Sequence, residues 1–382
     1  MISPLTPQPL QAAKFNMRVL VAPLDWGLGH ATRCMPIIDS LLAKGCTVII
    51  ACEGAQEKLL RQEYEKSGPG SPAVEFVSLK GYRVKYAKTF LFFRLISQLP
   101  ALKRAIQTEH KWLEKFIANN RVDWVISDNR YGLWTKKIPS TFMTHQLRVQ
   151  APSLFKAGEV LIQKLLYKHI NEYNACWVPD LTDEARGLSG SLGHPVQKPN
   201  SLLSYVGWLS RFSPAEEKQA FRYKALILLS GPEPQRTLLE NKLLRQLQHI
   251  SSPVMLVRGL PQADALPNLS ANVTAHNHLP AAELQKALLA SEYLVSRSGY
   301  STLMDAFTLQ KKCIFIPTPG QTEQEYLGKR LAENKMALVF SQNRVNLAEA
   351  LAQAENFQFH FPLNSMNELL EMAIENFLER HF

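Results

Sequence analysis

Residues suited to chemistry are concentrated in one short stretch near the start of the chain, LDWGLGHATRC, residues 24–34. Gly27 and Gly29 permit a tight turn and a close approach of a ligand to the backbone. His30 follows at once, and because an imidazole titrates near neutral pH, it can take a proton from a hydroxyl group. The simpler interpretation is that His30 caps the following helix or packs on Trp26.

A dinucleotide-binding turn is a further interpretation of the same glycines. It requires the pattern G-x-G-x-x-G or A, followed by an acidic residue at the end of the next strand. Glu53 has the position of that acidic residue, but Thr32 replaces the third glycine and His30 would crowd a bound pyrophosphate. The pattern therefore disfavours a dinucleotide.

Three stretches in the second half each combine a strand, a turn and the start of a helix: LLSGPEPQR (228–236), SRSGYSTLMDA (296–306) and IPTPGQTEQEYLGKRLAE (316–333). Backbone N–H groups and hydroxyls at such turns can bind a diphosphate, while carboxylates and amides can bind ribose and sugar hydroxyls. Each stretch alone is typical of an ordinary loop. Together, at successive strand ends, they favour a site for an anionic nucleotide sugar.

The elements that would position these residues alternate between strands and helices along both halves of the chain. Apolar periodicity predicts helices, notably over 31–44, 92–117 and 153–171. Short β-branched runs predict strands over 17–23, 46–52, 74–79, 124–127, 140–144, 175–179, 224–230, 253–259, 272–276, 293–296, 312–317 and 337–340. This alternation predicts an α/β fold of two Rossmann-like, doubly wound parallel-sheet domains that face a cleft. Ligands of such sheets bind beyond the carboxyl ends of the strands.

Breaks in the pattern divide the chain into segments. Gly207, Ser210 and Pro214 lie where the alternation restarts, which predicts a boundary there. We expect a flexible leader over 1–16, a first domain over 17–208, a linker over 209–216, a nucleotide-sugar-binding domain over 217–363 and an amphipathic helix over 364–382.

Composition narrows the class of protein. A chain of 382 residues with 46% hydrophobic and 20% charged residues is typical of a two-domain globular enzyme and excludes a disordered chain. The five cysteines are scattered with no C-x-x-C pair, which favours reduced thiols over a disulfide framework or a zinc site. The start of the chain lacks the pattern of a signal peptide and every apolar run is too short to span a bilayer, so we expect a cytoplasmic protein.

The excess of positive over negative charge is confined to the first half. Residues 1–206 contain 26 Lys and Arg against 16 Asp and Glu, whereas the remainder contains 17 of each. A one-sided basic field favours contact with an anionic partner, and no nucleic-acid-binding module is recognisable. Residues 80–115 interleave basic with aromatic side chains, which predicts either peripheral contact with anionic lipid at the inner face of the cytoplasmic membrane or a solvated helix that buries its apolar side.

These features together resemble the GT-B glycosyltransferases, and specifically glycosyltransferase family 28, which includes the UDP-N-acetylglucosamine transferase of lipid-linked peptidoglycan precursor synthesis. The resemblance rests on the glycine-rich loop that ends in His30, on SRSGYSTLMD and on residues 321–326. It implies a GT-B fold, with an acceptor-side first domain, a nucleotide-sugar-binding second domain and a C-terminal helix that crosses back to the first domain.

The resemblance also implies roles for individual residues. Asp305 takes the place of the acidic residue that binds the donor ribose, and Gln324 and Glu325 fall where the family has two glutamines near the donor sugar. Further donor-side candidates are Gly27, Gly29, Ser230, Gly231, His276, Asn277, Arg297, Ser298, Gly299, Ser301, Thr302 and Gln321. Acceptor-side candidates are Arg33, His145 and Gln146.

The mechanism that the resemblance implies is an inverting transfer of a hexosyl group, GlcNAc or a related hexose, from a UDP-sugar to a hydroxyl acceptor. His30 would be the base, and Asp128 would either orient it or act as the base itself. Arg297 and helix N-termini would stabilise the departing diphosphate. Because the chain contains no Asp-x-Asp motif, we expect no metal and no other cofactor. A lipid-linked acceptor of cell-envelope polysaccharide or glycolipid synthesis would suit the basic first half.

Two other functions fit the same sequence. UDP-sugar hydrolases of the pseudaminic-acid pathway resemble this chain in the loop GLGHATRC, and in them water replaces the acceptor. A nucleotide-sugar-binding protein without catalytic activity would keep the cleft but not the chemistry.

Overall fold

The computed structural model describes residues 16–65, 74–82, 99–148, 156–214, 220–362 and 368–382. The first sheet has seven strands: β1 (Arg18–Pro23), β2 (Thr47–Cys52), β3 (Val74–Ser78), β4 (Trp124–Asp128), β5 (Ser140–Met143), β6 (Ala175–Val178) and β7 (Leu202–Tyr205). The helices of this part are α1 (Leu28–Ala43), α2 (Gly54–Tyr64), α3 (Leu99–Asn119) and α4 (Lys156–Ile170). Strands β4, β5 and β6 are buried along their whole length, as expected of a parallel sheet covered on both faces.

The second sheet has six strands: β8 (Tyr223–Leu228), β9 (Val254–Val257), β10 (Val273–His276), β11 (Ser291–Ser296), β12 (Lys312–Phe315) and β13 (Leu338–Val339). Its helices are α5 (Gln235–Leu247), α6 (Ala281–Leu289), α7 (Tyr300–Thr308), α8 (Thr322–Glu333) and α9 (Leu347–Asn356). Both sheets are parallel, so the predicted fold of two doubly wound α/β domains is confirmed.

The strand order of each sheet indicates where a ligand is expected to bind. The first sheet has the order β3-β2-β1-β4-β5-β6-β7, and the second has the order β10-β9-β8-β11-β12-β13. The order therefore reverses beside β1 in one domain and beside β8 in the other. The crevice beyond the carboxyl ends at such a reversal is the usual ligand site. The loops after β1, β4, β8 and β11 are therefore the ones that can form a site.

The last helix, α10 (Glu368–His381), packs on the first domain, which confirms the predicted crossing. Phe377 stacks on Trp124 with ring centroids 4.3 Å apart. Lys44 Nζ lies 2.9 Å from carboxylate oxygens of both Glu371 and Glu375.

The fold also differs from the sequence-based expectation at one strand and, for the part of the chain that the structure describes, agrees with it on membrane-spanning helices. Strand β7 was not predicted, because its four residues are exposed or half-buried at the sheet edge and lack a continuous apolar run. Within the described residues, no helix combines the length and the apolar character that crossing a membrane requires.

Candidate active site

His30 lies in the first turn of α1, immediately after the loop that follows β1. Gly27 precedes this helix with a φ of 113°, a conformation that side chains with a Cβ rarely adopt, so the turn requires glycine. Asp128 is the last residue of β4, the neighbouring strand at the order reversal. The fold therefore brings together two residues that are far apart in the sequence.

The imidazole and the carboxylate form a direct pair. His30 Nδ1 lies 2.9 Å from Asp128 Oδ2, and this carboxylate is fully buried. Arg33, one turn further along α1, also binds Asp128, with Nε donating to Oδ2 at 2.9 Å and Nη2 donating to Oδ1. Within the described residues, the polar contacts of the His30 ring are all made through Nδ1, which lies 2.9 Å from Asp128 Oδ2 and 3.0 Å from Arg33 Nη2. A proton on Nδ1 is donated to the Asp128 carboxylate, because the Arg33 guanidinium cannot accept it, and Nε2 of this tautomer is then available to a ligand.

Charge and burial act on this pair in opposite directions. Burial lowers the pKa of His30, and Arg33 lowers it further, against the attraction of Asp128. Burial alone would raise the pKa of Asp128, but the positive charge of Arg33 and the contact with His30 outweigh it and lower that pKa to about 2. Asp128 is therefore ionised at neutral pH and orients the neutral ring, which leaves His30 as the group able to accept a proton. The alternative, in which Asp128 is itself the base, does not fit the structure, because its carboxylate is fully buried and does not line the cleft.

The second domain forms the opposite wall of the cleft. Gly299 precedes α7, whose first turn contains Ser301 and Thr302. Ser301 Oγ donates a hydrogen bond of 2.8 Å to the backbone oxygen of Gly29, so the two glycine-containing turns are in contact. The helix N-terminus thereby faces the turn that carries His30.

Most of the predicted residues lie around this cleft. Its central hollow has a volume of about 200 Å³, and a neighbouring hollow of about 470 Å³ shares part of its lining. Predicted residues that line the central hollow are Gly27, Gly29, His30, Arg33, His145, Ser230, Gly231, Gly299, Ser301, Thr302, Asp305, Gln321 and Gln324.

The role predicted for Arg297 is corrected by the structure. This side chain is fully buried and points into the second domain, where Nη1 donates to the backbone oxygens of Ile316 and Pro317, and Nη2 donates to that of Gln235. Burial lowers its pKa to about 10. Ser298 is also buried, and its hydroxyl donates to the backbone oxygen of Gln324 at 2.8 Å. Both residues brace the loop after β11 and do not contact the cleft.

Four other predicted residues do not line the central hollow. The carboxylate of Glu325 accepts a hydrogen bond from the Gly320 amide at 2.8 Å, and this residue is exposed. The side chain of Asn277 bonds Arg258 and the backbone of Ala263, so it braces a loop. His276 ends the edge strand β10, and Gln146 is a half-buried residue whose backbone N–H donates to Thr144 Oγ1 at 3.0 Å.

Asp305 lies in the cleft wall but is already engaged. It accepts hydrogen bonds from Ser210 Oγ at 2.9 Å and from Arg211 Nε at 3.2 Å. Burial raises its pKa, although Arg211 and Ser210 oppose this. Contact with a ribose therefore stays a prediction that requires these bonds to be shared or exchanged.

Sequence reasoning did not identify three residues of the cleft lining that carry polar groups. Arg211 places a guanidinium in the cleft beside Asp305, in a segment that had been interpreted as a linker. His278 also lines the cleft, and burial together with Arg211 lowers its pKa to about 4. Glu323 accepts a hydrogen bond of 2.9 Å from His145 Nε2 across the domain boundary. The partners of Arg211 and Glu323 lie far from them in the sequence, so no local pattern predicts these contacts.

The basic segment lies partly outside the described residues. The basic residues Arg83, Lys85, Lys88 and Arg94 and the apolar residues 90–93 lie outside them, whereas Lys103, Arg104 and Lys111 are exposed on α3. The exposed positions fit both interpretations of this segment.

Comparison with known proteins agrees with this architecture. Residues 236–376 match the glycosyltransferase family 28 C-terminal domain. An uncharacterized glycosyltransferase of Methanosarcina acetivorans is 22% identical over 330 residues, which cover 81% of this chain and 80% of that protein.

Solved structures show the same fold at low identity. Spinosyn rhamnosyltransferase SpnG, complexed with thymidine diphosphate, superposes with a TM-score of 0.60 at 14% identity over 95% of this chain and 100% of its own. Arabidopsis thaliana UGT89C1, complexed with UDP-L-rhamnose, gives a TM-score of 0.56 at 13% identity over 96% of this chain and 94% of its own. The chain therefore has the GT-B fold of these glycosyltransferases, and residues 236–376 are similar to the C-terminal domain of glycosyltransferase family 28.

Proposed function

We propose that this protein transfers a hexosyl group, GlcNAc or a related hexose, from a UDP-sugar to a hydroxyl acceptor with inversion at the anomeric carbon. The observation that carries the proposal is the buried His30–Asp128 pair, whose imidazole opens onto a cleft between two Rossmann-like domains. Support for a pyrimidine nucleotide comes from SpnG and UGT89C1, whose structures contain thymidine diphosphate and UDP-L-rhamnose.

In the proposed reaction, the acceptor oxygen attacks the anomeric carbon while the bond from that carbon to the diphosphate breaks. His30 Nε2 takes the proton of the hydroxyl group, and Asp128 stabilises the imidazolium that results. Inversion follows because the attacking and leaving oxygens lie on opposite faces of the sugar carbon.

The leaving diphosphate would be stabilised by positive charge from the second domain. The N-terminus of α7 presents unpaired backbone N–H groups beside Gly299, and Arg211 supplies a guanidinium in the same cleft. In this proposal, Arg211 stabilises the leaving diphosphate, which is the role predicted from the sequence for Arg297. The proposal includes no metal, and activity that persists in excess EDTA would support this part of it.

The reaction is tested by incubating the protein with UDP-GlcNAc and related donors, each with and without a panel of hydroxyl acceptors. Transfer of the sugar to an acceptor, with loss of turnover in His30→Ala, supports the proposal. Rapid release of free sugar in equal amount to UDP without acceptor would instead identify a hydrolase. Tight nucleotide binding without turnover of any donor would identify a binding protein.

The acceptor is proposed to be lipid-linked, in cell-envelope polysaccharide or glycolipid synthesis, on the strength of the basic first half. Peripheral contact of residues 80–115 with anionic lipid is part of this proposal. Flotation with anionic liposomes at low and high salt tests it, and absence from the lipid fraction at low salt would contradict it.

A further inference from the structure

The His30–Asp128 pair is connected to the second domain by a continuous chain of hydrogen bonds. Arg33, bound to Asp128 through Nε and Nη2, donates from Nη1 to His145 Nδ1 at 2.9 Å. His145 Nε2 in turn lies 2.9 Å from Glu323 Oε1. The chain of contacts begins on β4 of the first domain and ends in the first turn of α8 of the second.

The donors and acceptors along this chain are determined by chemistry. A guanidinium can only donate, so His145 Nδ1 must accept from Arg33. The proton of the neutral ring is therefore on Nε2, which donates to the carboxylate of Glu323. A proton on Nδ1 would remove the hydrogen bond from Arg33, so this chain of contacts requires Nδ1 to be the acceptor.

The orientation of His145 depends on the second domain. Its ring stacks on that of Tyr300, with centroids 4.2 Å apart and planes 6° from parallel. Tyr300 also donates from its hydroxyl to the backbone oxygen of Pro179 in the first domain at 2.8 Å. Both Tyr300 and Glu323 belong to the second domain, so separation of the domains would remove these two contacts of the imidazole and leave the one with Arg33.

We propose that Glu323 is a positioning residue that makes the basicity of His30 depend on contact between the two domains, acting through His145 and Arg33. With Glu323 in place, His145 has its acceptor nitrogen turned towards Arg33, which in turn fixes the carboxylate of Asp128 beside His30. Without it, the Nε2 proton of His145 loses its acceptor and the ring is free to turn. The base would thus be fully formed only when the donor-binding domain lies against it.

Charge supports the same conclusion. The charged and titratable groups around His30 come from four elements: Asp128 on β4, Arg33 on α1, His145 after β5 and Glu323 on α8. The negative charges of Asp128 and Glu323 offset the positive charge of Arg33. Removing the charge of Glu323 leaves Arg33 less compensated, so protonation of His30 becomes less favourable.

The proposal rests on the base role of His30, but its test requires no turnover. The pKa of the His30 imidazole is measured by NMR titration of labelled histidine, with His30→Ala used for assignment. Glu323→Gln keeps an oxygen acceptor for His145 and removes only the charge. The matched control is Glu333→Gln, the same change at an exposed position near the other end of α8.

We expect Glu323→Gln to lower the pKa of His30 by about half a unit, and Glu333→Gln to leave it unchanged within about 0.1 unit. The double variant Glu323→Gln with His145→Asn should shift the pKa by less than the sum of the single shifts, because both act on one chain of contacts. An unchanged pKa in Glu323→Gln, an equal shift in the control, or fully additive shifts would overturn the proposal. If no sugar transfer were found, the proposed function would fail while the titration could still be interpreted.

Discussion

Asp128 lies 2.9 Å from His30 through Oδ2 and Nδ1, and only the histidine of this pair reaches the cleft. A buried carboxylate that touches one nitrogen of an imidazole sets its tautomer and its direction, and it leaves the other nitrogen for proton transfer. In the proposed reaction, Asp128 therefore orients the imidazole and His30 takes the proton.

Removing the imidazole should abolish most of the turnover without removing the binding site. We expect His30→Ala to reduce kcat by about 10² to 10⁴-fold, which is the usual contribution of a positioned general base. Thermal stabilisation by the nucleotide should change little, because the hollow is lined mainly by other residues. Retention of near-normal turnover with the true acceptor would show that His30 is not the base.

The acid limb of the pH profile should report His30. The pKa of this ring is lowered from its ordinary value of 6.5 by burial and by Arg33, and the base must be unprotonated to act. We therefore expect kcat/KM to be level near neutral pH and to fall only below pH 6.5. Asp128, with a pKa of about 2, stays ionised over this range and adds no second limb. A rate that begins to fall well above neutral pH would contradict the assignment.

Two arginines of the second half should behave in opposite ways. Arg297→Met removes the donor to three buried backbone oxygens, so we expect a loss of unfolding free energy of at least about 2 kcal/mol and little change in donor affinity per folded molecule. Arg211→Gln should weaken donor binding by about tenfold or more, with a smaller effect on stability. Denaturant unfolding and calorimetric titration with the nucleotide separate the two effects, and the reverse pattern would restore Arg297 as the diphosphate ligand.

The thiols should be inert in the folded protein. Cys34, Cys46, Cys52, Cys176 and Cys313 are all buried and unpaired with one another, and burial raises the pKa of each. We expect no rapid reaction with a thiol reagent under native conditions and reaction of five groups after unfolding. Rapid labelling of the native protein would indicate that one of these thiols becomes accessible through opening of the fold.

The sequence predicted the fold well because a buried parallel strand carries a strong local signal. Strands β1, β2 and β11 contain consecutive apolar residues, some of them β-branched. Each is followed by a turn that a glycine marks in the sequence. Strand β7 lacks that signal, since its side chains contribute little to the core. Turn residues such as Gly29 and Ser301 were identified because each follows closely after a strand that is recognisable in the sequence.

The direction of a side chain is not encoded in this way. Arg297 adjoins Ser298 and Gly299 in the sequence, yet its guanidinium turns inward, while Gly299 lines the cleft. Glu323 and Arg211 acquire their partners only through contacts between segments that are more than ninety residues apart. Residues of this kind require the three-dimensional arrangement to be recognised.

The return of α10 to the first domain has a mechanical consequence. Because the chain passes from the first sheet to the second before β8 and comes back before Glu368, two covalent strands of polypeptide join the domains. A body attached at two points cannot swing about every axis. Any relative motion of the two domains should therefore follow a single hinge line through both attachments, with the Trp124–Phe377 stack serving as the anchor of one of them.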